Sequence, residues 1–230
     1  MDEPPLDWPG VLDPSLLPEE VSAAGHKMAD AADAGDWPAL FDLLDAVPAL
    51  NVNQWRPGSP EWITPLHHAA RHGAADVVAE LVERGALRSL RDARGWTARD
   101  TALDQRHPLP LIRLLTPPPS PHSVERVRAL DANLEWAIDG TIRTTQIFSD
   151  LTDHQLRRTL RYPPVAVLHE AHRWSVHVAI PGIASGIRVR LRRGYLETES
   201  AGRVQVITHR GAVLVTDPTA ATGEQAGQVA

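Results

Sequence analysis

Histidines in two short strings are the residues of this sequence best suited to metal or acid/base chemistry. His169, Glu170 and His172 form the string His-Glu-Ala-His. A zinc protease places two histidines four positions apart on one helix, with a glutamate beside the metal. Here the histidines are one position too close, and the segment leads into an alternating pattern typical of a strand. We therefore interpret them as solvated polar residues.

The second string contains His67, His68 and His72. His72 lies four positions after His68 and five after His67, and residues at these spacings partly share one face of a helix, so these imidazoles could in principle meet at a metal ion. The chain has no cysteine. Disulfides, thiolate ligands and cysteine nucleophiles are therefore excluded.

Arginines form a third group, because Arg188, Arg190 and Arg192 alternate along a predicted strand and Arg193 follows them. Such a stripe could receive phosphates or an acidic protein surface. No aromatic residues interleave with it, and the net charge is −6, which disfavours nucleic-acid binding. We expect a solvated outer face, whose charge the acidic N-terminal region could neutralise.

Motifs for nucleotide or acyl chemistry are missing from the sequence. It contains no Gly-x-x-x-x-Gly-Lys-Ser/Thr string, no Gly-x-Gly-x-x-Gly string and no Gly-x-Ser-x-Gly string. We expect no catalytic residues, no cofactor and no enzymatic activity.

An internal repeat organises the first half of the chain. The string Thr-Pro-Leu-His-His-Ala-Ala begins at Thr64, and a related string begins 33 positions later at Thr97, with Asp100 in place of the first histidine. Thr64 and Pro65 suit the start of a helix, and Gly85 suits the end of a second one. An earlier copy covers residues 31–44, and Arg106 replaces a helix-ending glycine in the last copy.

The 33-residue spacing and the Thr-Pro-Leu-His-x-Ala-Ala string resemble the ankyrin repeat, a turn followed by two antiparallel helices. The resemblance covers roughly residues 24–115. The strings at residues 35–37, 55–58, 62–67 and 87–91 are further similar to actinobacterial ankyrin-repeat proteins with a β-containing C-terminal region. No catalytic activity is implied by that likeness.

The resemblance implies roles for individual residues. His67 is expected to connect neighbouring turns by hydrogen bonds. His68 and His72 fall at variable positions that face the concave side. We therefore expect no metal site at these histidines. The concave face and loops of such stacks bind proteins, and tryptophan and arginine dominate binding hot spots. We predict that Trp55 and Trp62 are well exposed, while Trp96 could equally pack on its own helix. The predicted partner contacts are Trp55, Arg56, Trp62, His68, Arg71, Arg94, Trp96 and Arg99.

The second half is predicted to be a small domain with helices followed by an antiparallel sheet. Apolar residues at helical spacing favour one helix over residues 122–147, opened by Ser120 and Pro121, and Thr152 with Gln155 resembles a capping box. From Val165 onward the apolar period changes to two, which is typical of strands. Predicted strands cover residues 174–180, 187–192, 195–198, 203–208 and 212–216.

These patterns predict an α+β fold, with an N-terminal stack of about three ankyrin repeats followed by the helix-plus-antiparallel-sheet domain. The predicted boundaries are a weakly ordered segment at 1–17, repeats at 18–116, the second domain at 117–216 and a flexible tail at 217–230. No long apolar stretch and no secretory leader is visible, so we expect no membrane span and a cytoplasmic location.

Two classes of function remain open from the sequence. The first is a non-catalytic protein-binding module, in one version an immunity or regulatory partner of another bacterial protein. The alternative is a C-terminal domain that binds a small ligand or performs hydrolysis with His169, Glu170, His172 and His177, and that the repeats target to its place.

Overall fold

The computed structural model describes residues 6–171 and 174–217. His172, Arg173 and the predicted tail from 218 onward lie outside the described residues. The chain forms two compact units, which are described separately below. The helical unit consists of Trp8–Pro119 with Arg157–Arg161, and the sheet unit contains the other described residues.

Three helix pairs build the helical unit, which confirms the predicted repeat stack and the α+β class. The pairs are α1 (Glu19–Ala34) with α2 (Trp37–Ala46), α3 (Pro65–His72) with α4 (Ala75–Glu83), and α5 (Ala98–Asp104) with α6 (Leu109–Leu114). Within each pair the helices contact each other, and α3 lies between α1 and α5. Small alanines at these contacts let the helices approach closely, and one continuous apolar core runs through all three pairs.

Each first helix ends in the same way, in a residue with left-handed backbone. Gly35 has φ 75°, Gly73 has φ 71° and Arg106 has φ 58°. In each case this residue and the next donate their N–H groups back to the last turn of the helix. The third repeat therefore keeps the helix end without glycine, and Arg106 takes the strained conformation instead.

Histidines from one repeat bind the helix end of the repeat before it. His72 Nε2 lies 3.0 Å from the carbonyl oxygen of Asp33, and His107 Nε2 lies 3.1 Å from that of Arg71. These carbonyls have no partner within their own helix, since they lie in its last turn. The stack is thus held at its helix ends by hydrogen bonds as well as by the apolar core.

His67 and Asp100 occupy equivalent positions but bond differently. The Thr64 N–H lies 3.4 Å from His67 Nδ1, while His67 Nε2 lies 3.1 Å from the carbonyl oxygen of Trp96 in the next repeat. Burial lowers the pKa of His67, which favours the neutral ring with its proton on Nε2. Asp100 only caps its own helix, by accepting from the N–H and hydroxyl of Thr97.

The prediction of a weakly ordered segment up to residue 17 was wrong for residues 6–17. Residues 6–8 form a short strand, and Trp8 is buried, with its indole N–H donating to the carbonyl oxygen of Arg161 at 2.6 Å. Backbone bonds continue from the N–H of Arg161 to Gly10 and from the N–H of Leu12 to Thr159. Prolines and acids suggested a tail, but a distant segment of the chain supplies the hydrogen-bond partners.

A six-stranded sheet dominates the sheet unit. Its strands, in spatial as well as chain order, are β1 (Leu6–Trp8), β2 (Ser175–Ile180), β3 (Ile183–Leu191), β4 (Leu196–Ser200), β5 (Arg203–Thr208) and β6 (Gly211–Thr216). The pairs from β2 to β6 are antiparallel. Along β2 to β5, buried residues recur at every second position, as the sequence period of two predicted, whereas β6 has no buried residue.

Helices α7 (Val124–Ile142) and α9 (Val165–Leu168) cover one face of this sheet. Helix α8 (Asp153–Thr159) begins in the sheet unit and ends in the helical unit. The predicted start of α7 at Ser120 was wrong, because Ser123 caps the helix by accepting from the Arg126 N–H. Residues 165–168 form a helical turn rather than the start of the strand pattern, after Pro164 at the N-cap. The Thr152 and Gln155 capping box is confirmed.

The arginine stripe lies on the opposite face of the sheet, where cross-strand acids neutralise part of it. Arg190 Nη1 donates to Glu197 at 2.9 Å and to Glu199 at 3.0 Å, and Arg192 Nη2 donates to Glu197 at 3.1 Å. These bonds hold the pKa of Glu197 below its usual value, although burial alone would raise it. Two of the arginines are thus paired within the sheet, by β4 rather than by the N-terminal acids.

Within the described ranges, no helix is both long and apolar enough to cross a membrane.

The helix ends yield a stability prediction. A Cβ added at Gly73 would lie 2.5 Å from Cε1 of His107, whereas one added at Gly85 would meet nothing within 4 Å. Both glycines have positive φ. We expect Gly85→Ala to cost about 1 kcal/mol from backbone strain alone. Gly73→Ala should cost about 1 to 3 kcal/mol more, because the His107 ring must move away from Arg71.

Urea unfolding of both variants measures this difference in free energy. Equal losses for the two alanines would show that the His107 contact does not support the stack.

Candidate partner-binding groove

A groove of about 340 Å³ lies on the helical unit between α3, α5 and two loops. Its walls carry both charges, one indole and neutral polar groups. The lining side chains are Glu61, Ile63, His67, His68, Arg71, Asp92, Ala93, Arg94, Trp96, Thr101, Asp104 and Gln105. The groove is formed by the first helices of two repeats and the loops that precede them, where the resemblance to ankyrin stacks predicted the binding face.

One wall is an ion-paired cluster at the end of α3. Arg71 Nη2 donates to Asp33 Oδ1 at 2.5 Å and lies 3.2 Å from His68 Nδ1. The hydrogen bond from Arg71 is the main cause that holds the pKa of Asp33 below its usual value. Burial lowers the pKa of His68 to about 4, so His68 is neutral at pH 7 and its Nδ1 can accept from Arg71.

The facing loop is shaped by one carboxylate. Asp92 is buried, and its Oδ1 accepts the backbone N–H groups of Arg94 and Trp96, each at 2.9 Å. Burial alone would raise the pKa of Asp92, but the Trp96 N–H and the Arg94 guanidinium hold it below its usual value. The Arg94 guanidinium also lies over the Trp96 indole, 4.5 Å from its centroid. This wall therefore presents a cation on an aromatic face.

The groove's chemistry suits hydrogen-bonded recognition of another chain. Arg71 and Arg94 are exposed enough to donate further bonds, with side chains 44% and 62% accessible. Glu61 and Asp104 provide acceptors at the same groove, and half-buried Trp96 offers apolar surface. Guanidinium groups bind carboxylates and carbonyl oxygens well, and indoles add contact area. The groove can therefore bind polar backbone and an acidic side chain together.

The predicted contacts fall into two sets. Four of them, His68, Arg71, Arg94 and Trp96, line this groove. The other four lie outside its lining. Sequence reasoning missed the acceptors, because nothing in the string around Asp104 or Glu61 marks them as functional residues.

The prediction that Trp55 is well exposed was wrong, since only 2% of its surface is accessible. Its ring packs edge-on against Trp8 at 6.0 Å, and the guanidinium of Arg161 lies 4.9 Å from its centroid. The same guanidinium lies 4.4 Å from the ring of Trp62, which is half-buried rather than well exposed. We name Trp8, Trp55, Trp62 and Arg161 the tryptophan clamp. In the clamp these aromatic side chains pack against each other and against Arg161, whereas the sequence predicted that Trp55 and Trp62 would contact a partner.

Arg161 is the residue of this clamp that the sequence did not indicate. Its Nη2 donates to the carbonyl oxygen of Arg91 at 2.7 Å, at the base of the loop that carries Arg94. Burial lowers the pKa of Arg161 to about 10, and the charge of Asp92 opposes that shift. The guanidinium stays charged at neutral pH. Arg161 therefore connects the loop that carries Trp55 and Trp62 to the loop that begins at Arg91.

Arg56 and Arg99 were expected at the binding surface. Arg56 Nη2 donates to Asp30 on α1 at 2.5 Å, and its side chain remains 39% accessible. Arg99 is half-buried, and its Nε is buried with no hydrogen-bond acceptor among the described residues. Neither residue lines the groove.

His169 and His177, two of the residues predicted for the alternative hydrolytic function, contact different parts of the protein. The ring of His169 faces His122 edge-on at 5.6 Å. His177 Nδ1 lies 3.0 Å from Asp7 Oδ1, and its Nε2 lies 3.2 Å from the carbonyl oxygen of Ser185. Both nitrogens of His177 thus lie within hydrogen-bond distance of oxygens of the protein. In residues 6–171 and 174–217, no group of three or more metal-ligating side chains comes together.

Comparison with known proteins supports the repeat assignment. Residues 49–102 match the family model for ankyrin repeats (many copies). This range contains α3, α4 and most of α5 together with both groove loops. No curated protein matches the chain. The chain therefore contains ankyrin repeats, while its likeness to actinobacterial proteins stays a prediction.

The burial of His68 leads to a pH dependence. Its ordinary pKa of 6.5 applies in the unfolded chain and a pKa of about 4 in the folded one. His68 therefore binds protons more tightly in the unfolded chain than in the folded one. The stability that comes from burying the neutral His68 ring is complete above pH 6.5 and is lost as the pH falls toward 4. The full loss is about 3 kcal/mol.

The free energy of unfolding should be compared at pH 7 and at pH 4 for the wild type and His68→Gln. We expect the variant to lose less stability over this interval, and His26→Gln, at an exposed position, to behave like the wild type. If His68→Gln loses as much free energy of unfolding between pH 7 and pH 4 as the wild type does, the pH dependence does not come from a buried neutral His68 ring.

The tryptophan clamp gives a second measurable result. Arg161→Ala removes the cation from both indoles and should cost about 2 kcal/mol of unfolding free energy. It should also change the tryptophan fluorescence, because Trp55 and Trp62 lose their charged neighbour. Arg158→Ala, at an exposed position three residues earlier, is the matched control. Equal behaviour of the two variants would exclude a supporting role for the clamp.

Proposed function

We propose that this protein is a non-catalytic binding module whose concave groove holds a protein partner. One observation carries the proposal: four residues chosen from the repeat pattern as contacts, His68, Arg71, Arg94 and Trp96, line one groove. Ankyrin repeats in other proteins serve protein-protein interaction, and the family match covers the elements that build this groove.

The groove suggests what the partner presents. Arg71 and Arg94 lie on opposite walls and each already holds one carboxylate of this chain, Asp33 and Asp92 respectively. Their remaining donors favour carboxylate or carbonyl groups of the partner. The acceptors Glu61 and Asp104 favour N–H groups. We infer that an exposed loop or helix end with an acidic side chain binds between the walls.

A finer form of the proposal concerns immunity or regulation. In that form the partner is another bacterial protein, for example a toxin domain, whose own activity is blocked while it occupies the groove. The mixed charge of the groove is compatible with a specific partner, because misplaced charges on a wrong partner are costly. We also propose that the protein acts in the cytoplasm.

The groove can be tested by charge reversal. Arg71→Glu combined with Arg94→Glu should reduce recovery of the partner in affinity purification from the native host, and its measured affinity, at least 10-fold. The control reverses two exposed arginines outside the groove, Arg113→Glu and Arg158→Glu. Both double variants keep the same net charge, so general electrostatic attraction is matched.

Unchanged affinity of the groove variant, with folding verified by circular dichroism, would reject this surface. The immunity form has its own test, since the purified partner must show an activity that the wild-type protein inhibits and the groove variant does not.

A further inference from the structure

The outer strand β6 (Gly211–Thr216) is an unusual edge for a sheet. It forms one end of the strand order and carries no charged residue and no proline. Its apolar side chains are exposed, with Val213 at 65% and Val215 at 61%. Proteins normally protect edge strands with charges, prolines or irregular geometry, because free backbone groups there pair with other strands. The register shift in the β5–β6 pair lies at the far end of β6 and leaves 211–214 regular.

The two faces of β6 are defined by its neighbour β5. Leu214 pairs with Gln205, which is buried and lies 3.4 Å from Thr141 of α7, so Leu214 faces the helices. Val213 pairs with Val206 and faces the opposite side. Leu214 is nevertheless 42% exposed. The edge therefore leaves apolar surface uncovered on both faces of the sheet.

Helix α7 adds a second exposed apolar group above this edge. The helix packs on β4, β5 and β6. Asn133 donates to the carbonyl oxygen of Thr208, next to the turn between β5 and β6, which fixes the side of α7 that points toward this edge. Trp136 lies one turn further along that side and is 67% exposed. A large indole at such a position is typical of an interface.

We propose that β6 pairs with β6 of a second copy of this chain, in antiparallel orientation about a twofold axis. The charges that flank the strand favour a copy of itself. Arg210 precedes β6 and Asp217 follows it, so antiparallel copies bring the basic end of one strand beside the acidic end of the other. With no charge inside β6, self-pairing brings no like charges together there.

The alternation of side chains restricts the register to pairings that keep the faces of both copies aligned. Among these, the pairing centred on Val213 keeps residues 212–214 within the regular part of β6 and places Arg210 within one position of Asp217 of the second copy. Val213 then pairs with Val213, and Leu214 pairs with Ala212 of the second copy. Strands about 4.8 Å apart place the two α7 helices about 14 Å apart if each lies over β5. A helix with its side chains is about 10 Å wide. At this separation the two α7 helices are close enough for their Trp136 side chains to meet.

Molar mass in solution tests this pairing with the full chain. Light scattering after size exclusion should give the mass of two chains for the wild type. Val213→Lys places two ammonium groups opposite each other and should give one chain, while Val124→Lys, at another exposed valine, should remain a dimer. A wild type that stays monomeric at every concentration, or a dimeric Val213→Lys, would overturn the proposal.

A disulfide experiment avoids dependence on the lysine variant's folding. The natural sequence has no cysteine. In the proposed register, Val213→Cys brings two thiols to neighbouring Cα positions about 5 Å apart, within disulfide reach. Val215→Cys leaves its two thiols about 14 Å apart along the strands. Rapid oxidative crosslinking at 213 and little at 215 supports the pairing, and the reverse result, or crosslinking at neither, overturns it.

Discussion

The helical unit depends on hydrogen bonds that cross from one repeat to the helix end of the repeat before it. His72 and His107 each lie within hydrogen-bond distance of a carbonyl oxygen in the last turn of the neighbouring first helix. These carbonyls need partners from outside their own helix, because a helix cannot satisfy its own last turn. The bond from His107 fixes the end of α3 at Arg71. The groove wall that carries His68 and Arg71 is therefore held by the following repeat.

Much of this architecture could be predicted because it follows from local patterns. The 33-residue spacing of Thr64 and Thr97 indicated the helix pairs, and the period of two after residue 174 indicated the strands. Half of the predicted contacts line the groove for the same reason, since a repeat places them by position alone. The third helix end was less certain from the sequence, yet Arg106 adopts the left-handed conformation that glycine adopts in the other repeats.

The errors at Trp55 and at residues 6–17 share one physical cause, which is contact between residues far apart in the chain. Trp55 reads as an exposed loop residue among turn formers, but Trp8 and Arg161 cover it. No periodicity or spacing links positions 8, 55 and 161. The same holds for residues 6–17, whose hydrogen-bond partners lie at 159–161. Burial of this kind is a property of the assembled fold and leaves no local pattern.

The return of residues 157–161 to the first unit has a consequence for synthesis of the protein. The ribosome completes all three repeats before it adds Arg161. The nascent repeats therefore lack the guanidinium that packs on Trp55 and the carbonyl that accepts from Trp8. For the same reason, a fragment cut after the last repeat would expose this aromatic surface to water. The repeat stack and its covering segment form one unit, although more than thirty residues of the sheet unit separate them in the chain.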